Sequence, residues 1–114
     1  DGIAGTQQNL GAGAAEEHYE WTEMYKTFAQ EAREEGFDRI AALFELVGGI
    51  EKEHEERYRK LIENINNSEV FRRAGKQVWI CRNCGHIHYG DAAPEICPVC
   101  SHPQAYFELR AQNY

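Results

Sequence analysis

The sequence predicts an α-helical hairpin belonging to a four-helix bundle, followed by a small β-rich metal domain. Three observations predict it. Two stretches repeat apolar residues in steps of three and four. Each stripe is interrupted by metal-ligand side chains where apolar ones are due. Downstream, four cysteines fall in two C-x-x-C pairs.

Residues 1–9 read as an incoming loop in which Thr6 or Asn9 can cap a helix. The first stripe runs Leu10, Ala14, Trp21, Met24 and Phe28, with Glu17 at the position that completes the period and Glu20 at its edge. Trp21, Met24 and Phe28 are expected in the core. The helix is expected to end at Glu34, Glu35 and Gly36, with Gly36 as its C-terminal glycine.

The second stripe runs Phe37, Ile40, Phe44, Val47, then Glu51 and His54, then Tyr58, Leu61 or Ile62, and Ile65, fading near Asn66, Asn67 and Ser68. Gly48 and Gly49 lie inside this helix and cost about 1 kcal/mol each relative to alanine. They permit either a close helix approach or a π-bulge at the site.

The helical domain is placed over residues 1–72 and the metal domain over 77–114, with 69–76 (E-V-F-R-R-A-G-K) as a linker. The second domain shows β-like pieces at Val78–Ile80 and Ala105–Leu109. About 40 such residues bury too little core to fold alone, so a metal is expected to stabilise them.

With 12 basic against 19 acidic residues the net charge is −7, which disfavours nucleic acid and anionic membranes as partners. No run of 18 apolar residues and no signal-peptide pattern is present, so a cytoplasmic location is expected.

Residues three apart share a helix face, so Glu17 with Glu20 and Glu51 with His54 form two ligand pairs. Carboxylates bridge two cations and an imidazole caps one; a di-iron bundle uses Glu from two helices and Glu-x-x-His from two more. Glu23, Glu31, Glu34, Glu35, Glu53, Glu55 and Glu56 are expected as solvated surface charge, and His18 is expected in solvent. Tyr25 at the stripe edge either packs or donates a hydrogen bond to a ligand carboxylate.

Cys81, Cys84, Cys97 and Cys100, with twelve residues between the inner pair, place four thiolates around one ion. Iron and zinc fit this spacing equally. Iron would make it a one-electron carrier and zinc a structural ribbon. His86, His88 and His102 are expected around the site or at the surface rather than as ligands.

Several segments carry a family resemblance: E-W-T-E-M-Y (20–25), E-E-G-F (34–37), E-K-E-H-E-E-R-Y (51–58), C-R-N-C-G (81–85) and A-P-E-I-C-P-V-C-S-H-P-Q-A-Y-F-E (93–108). Together, from about Thr6 onward, the chain resembles the second half of rubrerythrins. That resemblance implies a ferritin-like bundle with Glu17, Glu20, Glu51 and His54 as di-iron ligands, Tyr25 as the tyrosine near that centre, and a rubredoxin-like mononuclear iron on the four cysteines. It also implies an activity tied to oxidative stress, the reduction of hydrogen peroxide to water. Electrons would pass from the cysteine-bound iron to the di-iron centre after delivery by an external reductase.

Two departures stand out: Glu16 where the family usually carries glycine, and the Gly48–Gly49 pair. Neither removes a ligand. The family bundle has four helices and only two are encoded here. A separate polypeptide or a second copy is therefore expected to supply the rest and share the di-iron centre; otherwise this is a fragment without a complete site. The rival functions are an iron-handling ferroxidase and a non-enzymatic zinc-ribbon adaptor.

Overall fold

A helix starts at Thr6 because Gly5 stands extended ahead of it and the Gln8 side chain reaches back to the Gly5 N–H at 3.0 Å. The computed structural model describes residues 2–114; Asp1, the first residue of the expected helical domain, lies outside them. Neither Thr6 nor Asn9 is the cap. Thr6 is already helical, and Asn9 instead binds both backbone groups of Ala4, accepting from its N–H at 2.9 Å and donating to its carbonyl at 3.0 Å.

The first helix is continuous but changes character. Helix α1 (Thr6–Tyr19) passes into a π-helical segment at Glu20–Met24 and continues as α2 (Tyr25–Glu34). The widened turn is seen in the Tyr25 N–H donating to the Glu20 carbonyl, five residues back. Thr22 Oγ1 donates to the His18 carbonyl at 2.5 Å, which supplies a side-chain partner where the ladder changes. The terminus is a Schellman motif. Gly36 at φ +85° lets Phe37 N–H reach the Ala32 carbonyl (2.8 Å) and its own N–H reach that of Arg33 (3.1 Å).

Helix α3 (Asp38–Asn66) runs antiparallel to the first as the other arm of the hairpin. The π-helical segment therefore lies in the first helix, not at Gly48–Gly49. Nor does close approach require either glycine: a Cβ at Gly48 would stand in ordinary contact, 3.6 Å from the Tyr25 Cβ, and one at Gly49 would meet nothing.

The seam between the helices is made of small residues, Ala14, Ala29, Ala41 and Gly48, with Glu55. Tyr25, Phe28 and Phe44 form an aromatic cluster with ring centroids 5.5–6.1 Å apart. Phe28, expected in the core, remains 39 % exposed, and Leu43, Leu46 and Ile50 on α3 are more than half exposed. Two helices have only one mutual face, so the rest of their apolar surface stays uncovered.

Residues 66–114 form a second compact unit, and residues up to 65 form the first. Strand β1 (Arg72–Cys81) is central in a three-stranded antiparallel sheet, between β2 (Ile87–Ala92) and β3 (Phe107–Leu109). Residues 72–76, expected as linker, are thus the first half of β1. A register shift occurs between Arg72 and Gln77, where Gly75 takes φ +87°. Residues 104–106 form a 3₁₀ turn ahead of β3, so the strand expected from Ala105 begins at Phe107.

The core of this unit is Trp79, Cys81, Ala93, Cys97 and Phe107. Trp79 is fully buried, and its indole N–H is satisfied by the Gly90 carbonyl at 3.0 Å. Two of the five core residues are thiols, so the core is built directly on the cysteine site.

Candidate metal centres

The first cysteine turn joins β1 to β2, and the second follows Ile96, which is bridged to Pro103. The two turns repeat each other. Cys81 N–H donates to the His86 carbonyl and Cys97 N–H to that of His102, at 2.9 and 2.8 Å. Gly85 N–H returns to the Cys81 carbonyl and Ser101 N–H to that of Cys97, at 2.8 and 3.0 Å. The backbone N–H groups of His86 and His102 point at the sulfurs of Cys84 and Cys100. The two histidines therefore contribute main-chain N–H groups to the site. Asn83 adds a side-chain donor to Cys100.

The sulfur spacing fits one tetrahedral ion. Cys81 Sγ to Cys100 Sγ and Cys84 Sγ to Cys97 Sγ are both 3.7 Å. Metal–sulfur bonds of about 2.3 Å in a tetrahedron require edges of about 3.8 Å. All four cysteines are free of disulfides. Without a cation the thiols cannot all ionise side by side. The His102 N–H draws the Cys100 thiol down to about 5. The His86 N–H favours the Cys84 thiolate, but desolvation and the neighbouring cysteines outweigh it and push that thiol up to about 12.

The second cluster lies on the hairpin. Glu17 from α1 and Glu51 and His54 from α3 bring one ligand atom each within 4.8 Å of one another. His54 Nδ1 is 2.8 Å from Glu51 Oε2 and 3.5 Å from Glu17 Oε1. Both carboxylates are largely buried, while the imidazole is half exposed. Glu17 Oε2 is buried without a hydrogen-bond partner, a costly arrangement that a cation would relieve. Burial raises the Glu17 carboxyl, as do the hydrogen bond and charge of Glu51 and the charge of Glu20; the pKa reaches about 7. The residues present therefore fit a cation with oxygen and nitrogen ligands.

Glu20 is not one of the three residues whose ligand atoms converge within 4.8 Å. Glu20 opens the π-helical segment and contributes repulsion at Glu17. The Tyr25 ring packs against Phe28 and Phe44, which favours the packing reading of this residue.

Sequence reasoning missed the residue that ties the triad's two helices together. Glu55, expected as surface charge, is 7 % exposed and is the buried charged residue among those described. Its Oε1 accepts from Trp21 Nε1 at 2.7 Å and pairs with His18 Nδ1 at 2.8 Å, while its Oε2 accepts from Arg59 Nε at 2.6 Å. His18, expected in solvent, is thus an inter-helix partner. Burial alone would raise the Glu55 pKa; the hydrogen bonds from Trp21, His18 and Arg59 and the Arg59 charge overcome it and bring it to about 2. The available signal was angular: Glu55 lies four residues after Glu51 and seven after Gly48, on the flank facing the first helix.

Comparison with known proteins follows the same two-part division. Residues 3–62 match the family described as Rubrerythrin, and residues 79–108 match the Rubrerythrin, rubredoxin-like domain. The chain belongs to the rubrerythrin family. Rubrerythrin-1 of Clostridium acetobutylicum is 46 % identical, and the rubrerythrins of Porphyromonas gingivalis and Nitratidesulfovibrio vulgaris are 47 % and 49 % identical, each over 98 % of this chain. The chain spans 57 %, 56 % and 59 % of the lengths of these relatives. A solved structure of nigerythrin in a partially reduced state superposes with a TM-score of 0.55 at 30 % identity, covering 96 % of this chain and 52 % of that one.

The rubrerythrin match places the four cysteines in the rubredoxin-like part and the glutamate–histidine group of di-iron type in the helical part. No described helix is long and apolar enough to cross a membrane.

Proposed function

We propose that this rubrerythrin-family chain forms part of a non-haem di-iron peroxidase that reduces hydrogen peroxide to water, with electrons supplied through its four-cysteine iron site. The observation that carries the reading is the convergence of Glu17, Glu51 and His54 within 4.8 Å around the partnerless Glu17 Oε2. Support for iron comes from nigerythrin, which has been solved in a fully reduced, all-ferrous state.

Glu17 and Glu51 would hold the cations through carboxylate oxygens, and His54 through the Nδ1 that faces them. When bound, the iron pair supplies Lewis acidity and electrons for O–O cleavage. Glu20 beside Glu17 offers a further carboxylate, and Tyr25 is assigned a place near that centre. Because Glu17 keeps its proton up to about pH 7 without a cation, loading displaces that proton. At the cysteine turns, the paired N–H···S bonds from His86 and His102 favour the thiolates and tune any iron held there.

The remaining ligands would come from further bundle helices packed against this hairpin. The uncovered apolar side chains Phe37, Ile40, Leu43, Leu46 and Ile50 support such an association, since a contiguous exposed apolar face marks an interaction surface. An external reductase would supply electrons to the cysteine site.

Metal analysis of the natively expressed protein, with the mass of the intact assembly, tests this reading. Iron in both sites and a mass including further bundle helices are expected. Zinc alone, without an iron visible spectrum, would sink it in favour of a zinc-ribbon adaptor. Faster oxidation by oxygen than by peroxide would favour ferroxidase chemistry instead.

A further inference from the structure

We infer that Glu55 is a positioning residue that holds the π-helical segment Glu20–Met24 open, and thereby sets Glu17 and Glu20 against Glu51 and His54. The inference rests on the metal reading of the hairpin and goes beyond it, because Glu55 is no ligand. Its carboxylate is not among the converging ligand atoms, and both its oxygens are occupied, one by Trp21 and His18 of the first helix and the other by Arg59.

The connections are specific in position. Trp21 directly follows Glu20 and lies inside the π-helical segment; His18 directly follows Glu17. Glu55 itself directly follows His54. One carboxylate thus joins the neighbours of three residues assigned to the metal site, across 34 and 37 positions of chain.

The π-helical turn needs such a hold. Its geometry is rarer than the α-helix and persists where side chains or tertiary contacts compensate the disturbed ladder. Thr22 provides the local compensation at the His18 carbonyl. The Trp21–Glu55 bond is the inter-helix hydrogen bond from within the segment. If the segment relaxed to α-helix, one residue's worth of rotation, about 100°, would turn Glu17 relative to Tyr25 and the helix beyond it. Tyr25 is anchored on Phe44 and Phe28, so Glu17 would be the end that moves.

Arg59 makes a useful contrast. It neutralises Glu55 through the other oxygen but sits one turn further along α3 and, through that bond, leaves the first helix untouched. A merely structural ion pair would depend on Arg59; a positioning contact depends on Trp21.

The test is a manganous-ion titration of the assembled protein with its cysteine site loaded, followed by electron paramagnetic resonance, beside circular dichroism and thermal unfolding. Glu55→Gln and Trp21→Phe are expected to weaken Mn²⁺ binding about tenfold or more and to change its line shape, as loss of groups supporting metal ligands does. Arg59→Gln is expected to lower the melting temperature while leaving affinity and line shape as in the unsubstituted protein. Should Glu55→Gln fail to fold, Trp21→Phe carries the test, since it keeps an aromatic side chain and removes the N–H donor to Glu55, while thermal unfolding reports what the smaller ring loses in packing against His18 and Lys52. Unchanged Mn²⁺ binding in folded Glu55→Gln and Trp21→Phe overturns the inference, as does an equal loss in Arg59→Gln. Absence of Mn²⁺ binding by the unsubstituted assembly would instead overturn the metal reading on which it stands.

Discussion

Gly85 and Ser101 occupy matching places in the two cysteine turns, each following the second cysteine of its pair and each in the left-handed backbone region, at φ +85° and +62°. Glycine adopts this region freely, whereas serine is strained there. Ser101→Gly is therefore expected to stabilise the metal-loaded protein by up to about 1 kcal/mol, and Gly85→Ala to destabilise it by a similar amount. Denaturant unfolding of the three proteins checks both signs.

Gly48 and Gly49 lie in unbroken α-helix, and an added Cβ would make one ordinary contact at Gly48 and none at Gly49. Helix propensity then decides the outcome. Gly49→Ala is expected to raise stability by about 1 kcal/mol, and Gly48→Ala by somewhat less than that. Thermal unfolding of the single variants and the pair tests this, and a fall in stability for Gly49→Ala would contradict the open surroundings.

Glu17 gives the metal-free protein a particular pH response. Its folded-state pKa is raised by burial and by Glu51 from 4.5 to about 7, so the folded state holds the proton more tightly than the unfolded state does. The resulting stability is fully present below about 4.5 and is lost as pH rises toward 7. Glu17→Gln should flatten that dependence between these values. Unfolding free energies of both apo proteins across this window provide the check; parallel curves would show that Glu17 does not carry the effect.

Metal removal should act on the second unit first. Trp79 is packed with Cys81 and Cys97, so stripping the ion takes away the thiolate crosslink of its core. In a Trp21→Phe background, Trp79 fluorescence is expected to shift to the red on chelation and to recover on adding iron or zinc. Unchanged emission from a demonstrably metal-free protein would show that the core stands without it.

Legibility of this molecule in its sequence tracks the range of the interactions involved. The cysteine site was readable because C-x-x-C spacing alone nearly determines the turn, and the sulfur separations agree with a single ion. Glu17, Glu51 and His54 were readable because polar residues interrupt two periodic stripes, and they converge. The π-helical segment was not, since a one-residue change of pitch leaves no composition signal and is held by Trp21 and Thr22 contacts. Glu55 hid within an acidic run, and its burial depends on donors 34 and 37 residues away. Strand β2 went unread because I-H-Y-G-D-A has a weak strand pattern; its pairing follows from the turn that the cysteines impose.

Peroxide reduction is tested most directly by mixing the fully reduced, assembled protein with micromolar hydrogen peroxide in an anaerobic stopped-flow instrument, monitoring both iron chromophores. Rapid oxidation of the carboxylate-bound iron followed by the cysteine-bound iron, with two electrons consumed per peroxide, is the expected result. Iron of both kinds that stays reduced under peroxide, in a protein shown to contain it, would contradict the proposed function.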